Sequence, residues 1–204
     1  TGRFNTAVGY NSGTGVTTGD ANTFVGDSSG ASTTTADNNT AMGQSALYTN
    51  TTGADNTAVG ALTLVYSTAS NNTAVGKSAL ESCTTGEGNV AVGYKAIDAG
   101  TTGNVNTCVG SNAGGNLTTG GGNVFIGRDA GITGSPGGNH ITESNRLVLG
   151  DENITNAHIQ VDWTVASDKR DKTDFSTLDL GLNFVNALEP VTYKWDKRSK
   201  YGDK

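Results

Sequence analysis

The sequence is poor in the residues from which ordinary protein cores are built. Of its 204 residues, 34% are hydrophobic and 6% are aromatic, whereas an average globular domain is about 45–50% apolar. So few large apolar side chains do not fill the wide core of a conventional enzyme domain. Charged residues are also few, at 16%. Disordered chains of low hydrophobicity are normally highly charged, so this composition does not indicate disorder.

Cysteine, histidine and proline are nearly absent. The two cysteines, Cys83 and Cys108, are too few for a disulfide framework, and no zinc-site spacing surrounds them. His140 and His158 are the only histidines, so neither a histidine-based triad nor a zinc site is expected. Two prolines argue against an extended linker. We therefore expect no cofactor and no metal.

Positive charge and long apolar runs are lacking too. The formal net charge is −6, which excludes non-specific nucleic-acid binding through a basic face. No apolar run approaches the ~18 residues of a membrane span, and no signal peptide opens the sequence. Neither a nucleic-acid partner nor membrane insertion is expected.

Glycine, asparagine and threonine are abundant, and they are arranged in a repeat. The phrase Asn-Thr-Ala-Val-Gly, or a close variant, recurs at steps of 16 or 17 residues. It starts at Asn5, Asn22, Asn39, Asn56, Asn72, Asn89, Asn106 and Asn123. We number these repeats 1 to 8 and call the asparagine position 1 of each. A small residue at position 8 and a Thr-Thr-Gly turn also recur.

A unit of this length suits one coil of a β-solenoid, since it is too short for a helix pair or a propeller blade. We predict a short strand, a corner, a second short strand and a loop back. The glycine at position 5 suits a corner with positive φ or close backbone approach. The asparagine suits a stacked ladder or a turn cap. Eight coils at about 4.7–4.9 Å each predict a body roughly 40 Å long.

Two neighbouring positions of the predicted strand are apolar in every repeat. Position 3 holds Ala7, Phe24, Ala41, Ala58, Ala74, Ala91, Cys108 and Phe125. Position 4 holds Val8, Val25, Met42, Val59, Val75, Val92, Val109 and Ile126. Because strand side chains alternate between faces, both faces are predicted to be buried. One face fills the coil, and the simplest cover for the other is an identical chain in a closed trimer. A single-chain solenoid with one dry outer face is the alternative.

The repeat changes character near residue 130. The loop 133–145 breaks the period, and a degenerate strand at 146–150 is predicted to close the solenoid. We therefore divide the chain into a repeat shaft at 1–132, a closure and β connector at 133–166, and a distinct segment at 167–204. Apolar residues at helical spacing predict a short helix at 179–188, and 191–195 reads as a strand. The predicted fold class is all-β, a β-solenoid or β-roll with a short C-terminal helix and strand.

The repeats resemble those of phage tail fibres and spikes, and they are similar in style to the head repeats of trimeric bacterial adhesins. The resemblance covers about residues 5–130 and implies a trimeric β-solenoid. The segment after it carries a second resemblance, in Ser-Asp-x-Arg-x-Lys at 167–172 and Leu-x-Pro-Val-x-Tyr-x-Trp at 188–195. These motifs resemble the start of the self-cleaving intramolecular chaperones of phage endosialidases, tailspikes and tail fibres.

The second resemblance implies a trimeric chaperone that assembles a β-helical fibre and then releases itself by autoproteolysis. It implies Ser167 as nucleophile, Lys172 as base and the bond between Ala166 and Ser167 as the scissile bond. A lysine serves as base when its pKa is lowered. The alternative is a solvated charged run with Ser167 as a helix cap. Since the family continues beyond 195 through further helices, we expect 167–204 to be incomplete and the bond in this chain to be intact.

The sequence thus predicts a structural component of a phage-like trimeric tail fibre or spike in the virion tail. Its partners would be two identical chains and a host cell-surface glycan or protein receptor. Enzymatic activity would be at most one self-cleavage. A bacterial trimeric surface adhesin or extracellular filament at the cell surface is the alternative. An ice-binding solenoid is a second alternative, although the Thr-Thr pairs beside glycine look like turns.

Overall fold

A computed structural model describes residues 1–158, in which nine three-residue strands stack in parallel. The strands are β1 (Thr6–Val8), β2 (Thr23–Val25), β3 (Thr40–Met42), β4 (Thr57–Val59), β5 (Thr73–Val75), β6 (Val90–Val92), β7 (Thr107–Val109), β8 (Val124–Ile126) and β9 (Leu147–Leu149). Each strand pairs with the next in chain order. The predicted all-β solenoid is confirmed, and residues 1–158 contain no helix. Residues Thr1–Ala157 form one unit.

The register follows the repeat. Equivalent positions pair throughout, as in Phe24 with Ala41 and Ala41 with Ala58. Between β8 and β9 the partners are Phe125 and Val148, because the irregular loop lengthens that coil. The predicted closing strand is therefore confirmed. The helix predicted at 179–188, the strand at 191–195 and the boundary between residues 166 and 167 lie outside the described residues.

The second strand predicted in each coil is wrong. After position 5 the chain forms turns in which positions 7 and 9 adopt left-handed φ, for example 54° at Ser45 and 51° at Leu47. A segment that returns to positive φ at alternate residues cannot be a β-strand. It still bonds to the next coil, since the Leu47 N–H donates to the Thr63 carbonyl at 3.0 Å. The apolar residue at position 9 thus reaches the interior from a turn.

The corner after each strand requires glycine. Gly60 at position 5 has φ of +136°, and a Cβ there would lie 2.7 Å from the carbonyl carbon of Gly76 in the next coil. The same left-handed corner recurs at position 5 of all eight repeats. The predicted role of this glycine is confirmed, because a side chain would strike backbone that cannot move aside.

The interior is filled from positions 3, 8 and 9. From repeat 2 onward the position 3 side chains are fully buried, and so are most residues at position 8. Position 4 does not share this burial, since Met42 is 44% exposed and Ile126 is 45% exposed. The prediction that one strand face fills the coil is confirmed for position 3. Within a single chain the other face is left open.

Volumes at positions 3 and 9 compensate each other. Phe24 lies against Gly13 and Gly30, and a Cβ at Gly13 would come within 2.9 Å of its ring. Phe125 likewise lies against Gly114 and Gly131. Where position 3 is alanine, in repeats 3 to 6, position 9 is Leu47, Leu64, Leu80 or Ile97. Each coil therefore holds one large side chain at most, which suits an interior packed to ordinary protein density.

Candidate functional site: the outward strand face and the C-terminal segment

Positions 2 and 4 of every strand lie on the face opposite to the interior, because side chains alternate along a strand. Position 2 holds Thr6, Thr23, Thr40, Thr57, Thr73, Val90, Thr107, Val124 and Leu147. Position 4 holds the apolar residues named above and ends at Leu149 in β9. We call these two columns the outward strand face. All eighteen positions are uncharged, and none is buried.

This face exposes more apolar surface than a lone soluble chain normally does. Val8 is 58% exposed, and Met42, Val109, Ile126 and Leu149 are also exposed, while the other position 4 residues are half-buried. The exposed column is continuous, since each strand pairs with its neighbour without a gap. Contiguous apolar patches of this kind mark sites of interaction. The position 2 column was not singled out from the sequence, although strand alternation places it beside position 4.

The Thr-Thr-Gly segments lie outside the strands and hold the coils together. The Thr84 Oγ1 donates to the Thr101 carbonyl at 2.9 Å, and Thr34 Oγ1 donates to Thr51 in the same way. The Thr118 hydroxyl continues the ladder to the carbonyl of Ile141. These hydroxyls are donors to backbone of the next coil. The interpretation of these segments as turns is thereby confirmed.

Polar contacts fasten the last coils to the closing segment. Arg128 lies 3.1 Å from the Asp151 carboxylate and 3.3 Å from that of Asp129. The Asn112 amide donates to Asp129 at 2.9 Å. Hydrogen bonds from the Asn153 side chain, with the Arg128 charge as a weaker cause, hold the pKa of Asp151 below its usual value. Asp151 therefore stays ionised and anchors the end of the stack at neutral pH.

The candidate chemical groups within residues 1–158 are structural. Cys83 and Cys108 are buried and free, and burial raises the pKa of the Cys108 thiol to about 12. A thiol that is not ionised is neither a nucleophile nor a metal ligand. His140 is buried, with its ring 5.5 Å from that of Phe125. No group of three or more metal-binding side chains occurs in this part of the chain.

The predicted cleavage site cannot be placed by the geometry. Ala166, Ser167 and Lys172 all lie outside the described residues. Within the part of the chain that is described, no helix is long and apolar enough to cross a membrane.

Comparison with known proteins adds a finding at the C-terminus. Residues 167–204 match the family described as chaperone of endosialidase. The match begins at Ser167, the residue predicted as nucleophile, and it confirms the second resemblance seen in the sequence. No curated protein matches the chain. No solved structure matches it either. The chain therefore combines a parallel β-solenoid with a following chaperone-of-endosialidase segment, which supports a tail-fibre-like assembly role.

Proposed function

We propose that the chain is a structural component of a trimeric tail fibre or spike of a phage-like particle, and that it takes part in host attachment. In this proposal the C-terminal segment promotes assembly of the shaft and is then released by autoproteolysis. The observation that carries the proposal is the order of parts along the chain. A stack of near-identical coils is followed closely by a chaperone-of-endosialidase match. A bacterial adhesin would share the shaft, but the chaperone match favours the tail fibre.

The stack itself gives a reason for an assembly device. Each coil contacts only the neighbouring coils, as in other repeat proteins, so folding can begin at any of them. Successive coils are so alike that pairing one step out of register costs little. A segment that brings chains together at one end would fix a common starting register. Its removal afterwards would leave the assembled shaft.

The proposed cleavage is a single turnover carried out by two side chains. Lys172, as the neutral amine, takes the proton of the Ser167 hydroxyl while the Ser167 oxygen attacks the Ala166 carbonyl carbon. The C–N bond between these residues then breaks, the Ser167 nitrogen takes up a proton, and Ala166 is held as an ester on Ser167. Water hydrolyses the ester. The products are a new carboxylate at Ala166 and a new amino terminus at Ser167.

The test is mass spectrometry of a chain that carries the complete chaperone domain. We expect a new amino terminus at Ser167 in the unmutated protein and an intact chain in Ser167→Ala and Lys172→Ala. Lys172→Ala should block the cut because the hydroxyl loses its base. Ser176→Ala and Lys169→Ala are matched controls and should still be cut. Ser167→Ala should still assemble, since folding and cleavage are separate tasks.

Two outcomes would contradict the cleavage proposal. One is a cut at 166–167 that persists in Ser167→Ala. The other is an unmutated chain that assembles with its complete chaperone domain and stays whole. A complete chain that neither assembles nor cuts would contradict the tail-fibre function itself.

A further inference from the structure

The outward strand face has the chemistry of a surface that is covered in the working protein. Its position 4 column is apolar in all nine strands, and its position 2 column is threonine, valine or leucine. No charge interrupts either column over the whole length of the stack. The interior needs none of these side chains, because positions 3, 8 and 9 already fill it. A sequence that avoids charge at eighteen exposed positions points to a dry contact rather than a solvated wall.

The spacing of the face restricts what can cover it. The face repeats once per strand, at about 4.8 Å. A protein partner that meets every strand in an equivalent way must repeat at the same spacing over nearly the same length. A second copy of this chain does so by construction when it lies parallel and in register. An irregular partner would fit one strand and miss the next.

The size of the face fits a shared interface of moderate strength. By strand geometry it is about 40 Å long and about 10 Å wide, or about 400 Å² per copy. Three copies that meet on one axis would bury about 1,200 Å², the lower end of the range for stable protein interfaces. Such an interface holds an assembled trimer but does not bring free chains together quickly. A separate assembly segment is consistent with that weakness.

We propose that the outward strand face is the contact between three copies of this chain, parallel and in register, with the position 4 column nearest the shared axis. The proposal rests on the trimer of the proposed function and names the surface that forms it. Position 3 cannot be at the axis, because Phe24, Ala41 and their equivalents are enclosed within each coil.

Cysteine cross-linking tests the contact directly, in the chain with its complete chaperone domain. Met42→Cys puts a thiol on the outward face of repeat 3, where the native side chain is 44% exposed. Thr52→Cys puts one on the exposed turn of the same repeat as the matched control. A short bismaleimide should join most Met42→Cys chains in pairs and leave Thr52→Cys chains single. The native cysteines do not interfere, since both are buried.

Three results would overturn the proposal. The first is a trimer whose Met42→Cys chains are not joined. The second is equal joining of Met42→Cys and Thr52→Cys. The third is an unmutated chain that folds as a monomer and shows thermal hysteresis, which would assign the threonine and valine columns to ice. A trimer that still cuts at Ser167 while Met42→Cys stays single would refute only the surface and leave the proposed function standing.

Discussion

Buried asparagines bond each coil to the next. The Asn56 side-chain nitrogen donates to Asn39 Oδ1 at 3.0 Å and to the Ala69 carbonyl at 2.9 Å. Its oxygen accepts the backbone N–H of Asn72 at 3.0 Å. Equivalent bonds run from Asn5 to Asn123, and the Arg146 N–H continues them toward β9. Each asparagine thus satisfies buried backbone groups that have no strand partner.

Replacing one of these asparagines should be costly. Asn56→Ala leaves the Asn72 N–H and the Ala69 carbonyl buried without partners. We expect a loss of about 2–6 kcal/mol in the free energy of unfolding, since each such group costs about 1–3 kcal/mol. Denaturant titration followed by circular dichroism measures it. The exposed Asn116→Ala is the matched control and should stay within about 0.5 kcal/mol of the unmutated protein. Equal losses in the two variants would show that the ladder does not stabilise the stack.

The asparagine and the corner glycine were predictable because their roles are set by local stereochemistry. An amide side chain and a residue without Cβ are recognised wherever the backbone needs a polar partner or a positive φ. The left-handed φ of 51° at Leu47 and 50° at Ile97 were not predictable. Leucine and isoleucine avoid that region. Burial of their side chains outweighs a backbone cost of about 1–2 kcal/mol per residue.

Within a coil, the core depends on a match between the strand and the turn that faces it. Phe24 with Gly30 in repeat 2 and Ala41 with Leu47 in repeat 3 fill the same space in two ways. The strand was predicted from its alternation and its apolar residues. The turn was taken for a second strand, because an apolar residue after a small one is typical of both.

A double-mutant cycle tests this match. Gly30→Leu places side-chain atoms on the Phe24 ring and should cost about 1–3 kcal/mol or more through overpacking. Phe24→Ala leaves a cavity and should cost about 3–5 kcal/mol. The double variant reproduces the Ala41 and Leu47 arrangement, so we expect it to recover at least about 2 kcal/mol relative to the sum of the single changes. Thermal denaturation of the four proteins gives the coupling. Losses that simply add within about 0.5 kcal/mol would show that the two positions do not share one space.

In the whole chain, the stack has one strand face enclosed and one left open. The sequence established that both faces are apolar, and from this it predicted a partner chain. It did not decide between positions 3 and 4, since alanine, valine and phenylalanine suit an interior and an interface alike. The structure assigns position 3 to the interior, because its volumes complement those of position 9. Position 4 has no such complement and stays exposed, as Val8 and Ile126 show.

Sedimentation equilibrium tests the central claim most directly, with the chain that carries the complete chaperone domain. The unmutated protein and Thr102→Asp, a change on an exposed turn of repeat 6, should each have the mass of three chains. Val92→Asp, on the outward face of the same repeat, should have the mass of one chain. An unpaired charge buried at the shared axis costs several kcal/mol per chain, while the same residue on a lone chain meets water. A Val92→Asp protein that keeps the mass of three chains, or an unmutated protein that is folded at the mass of one, would contradict it.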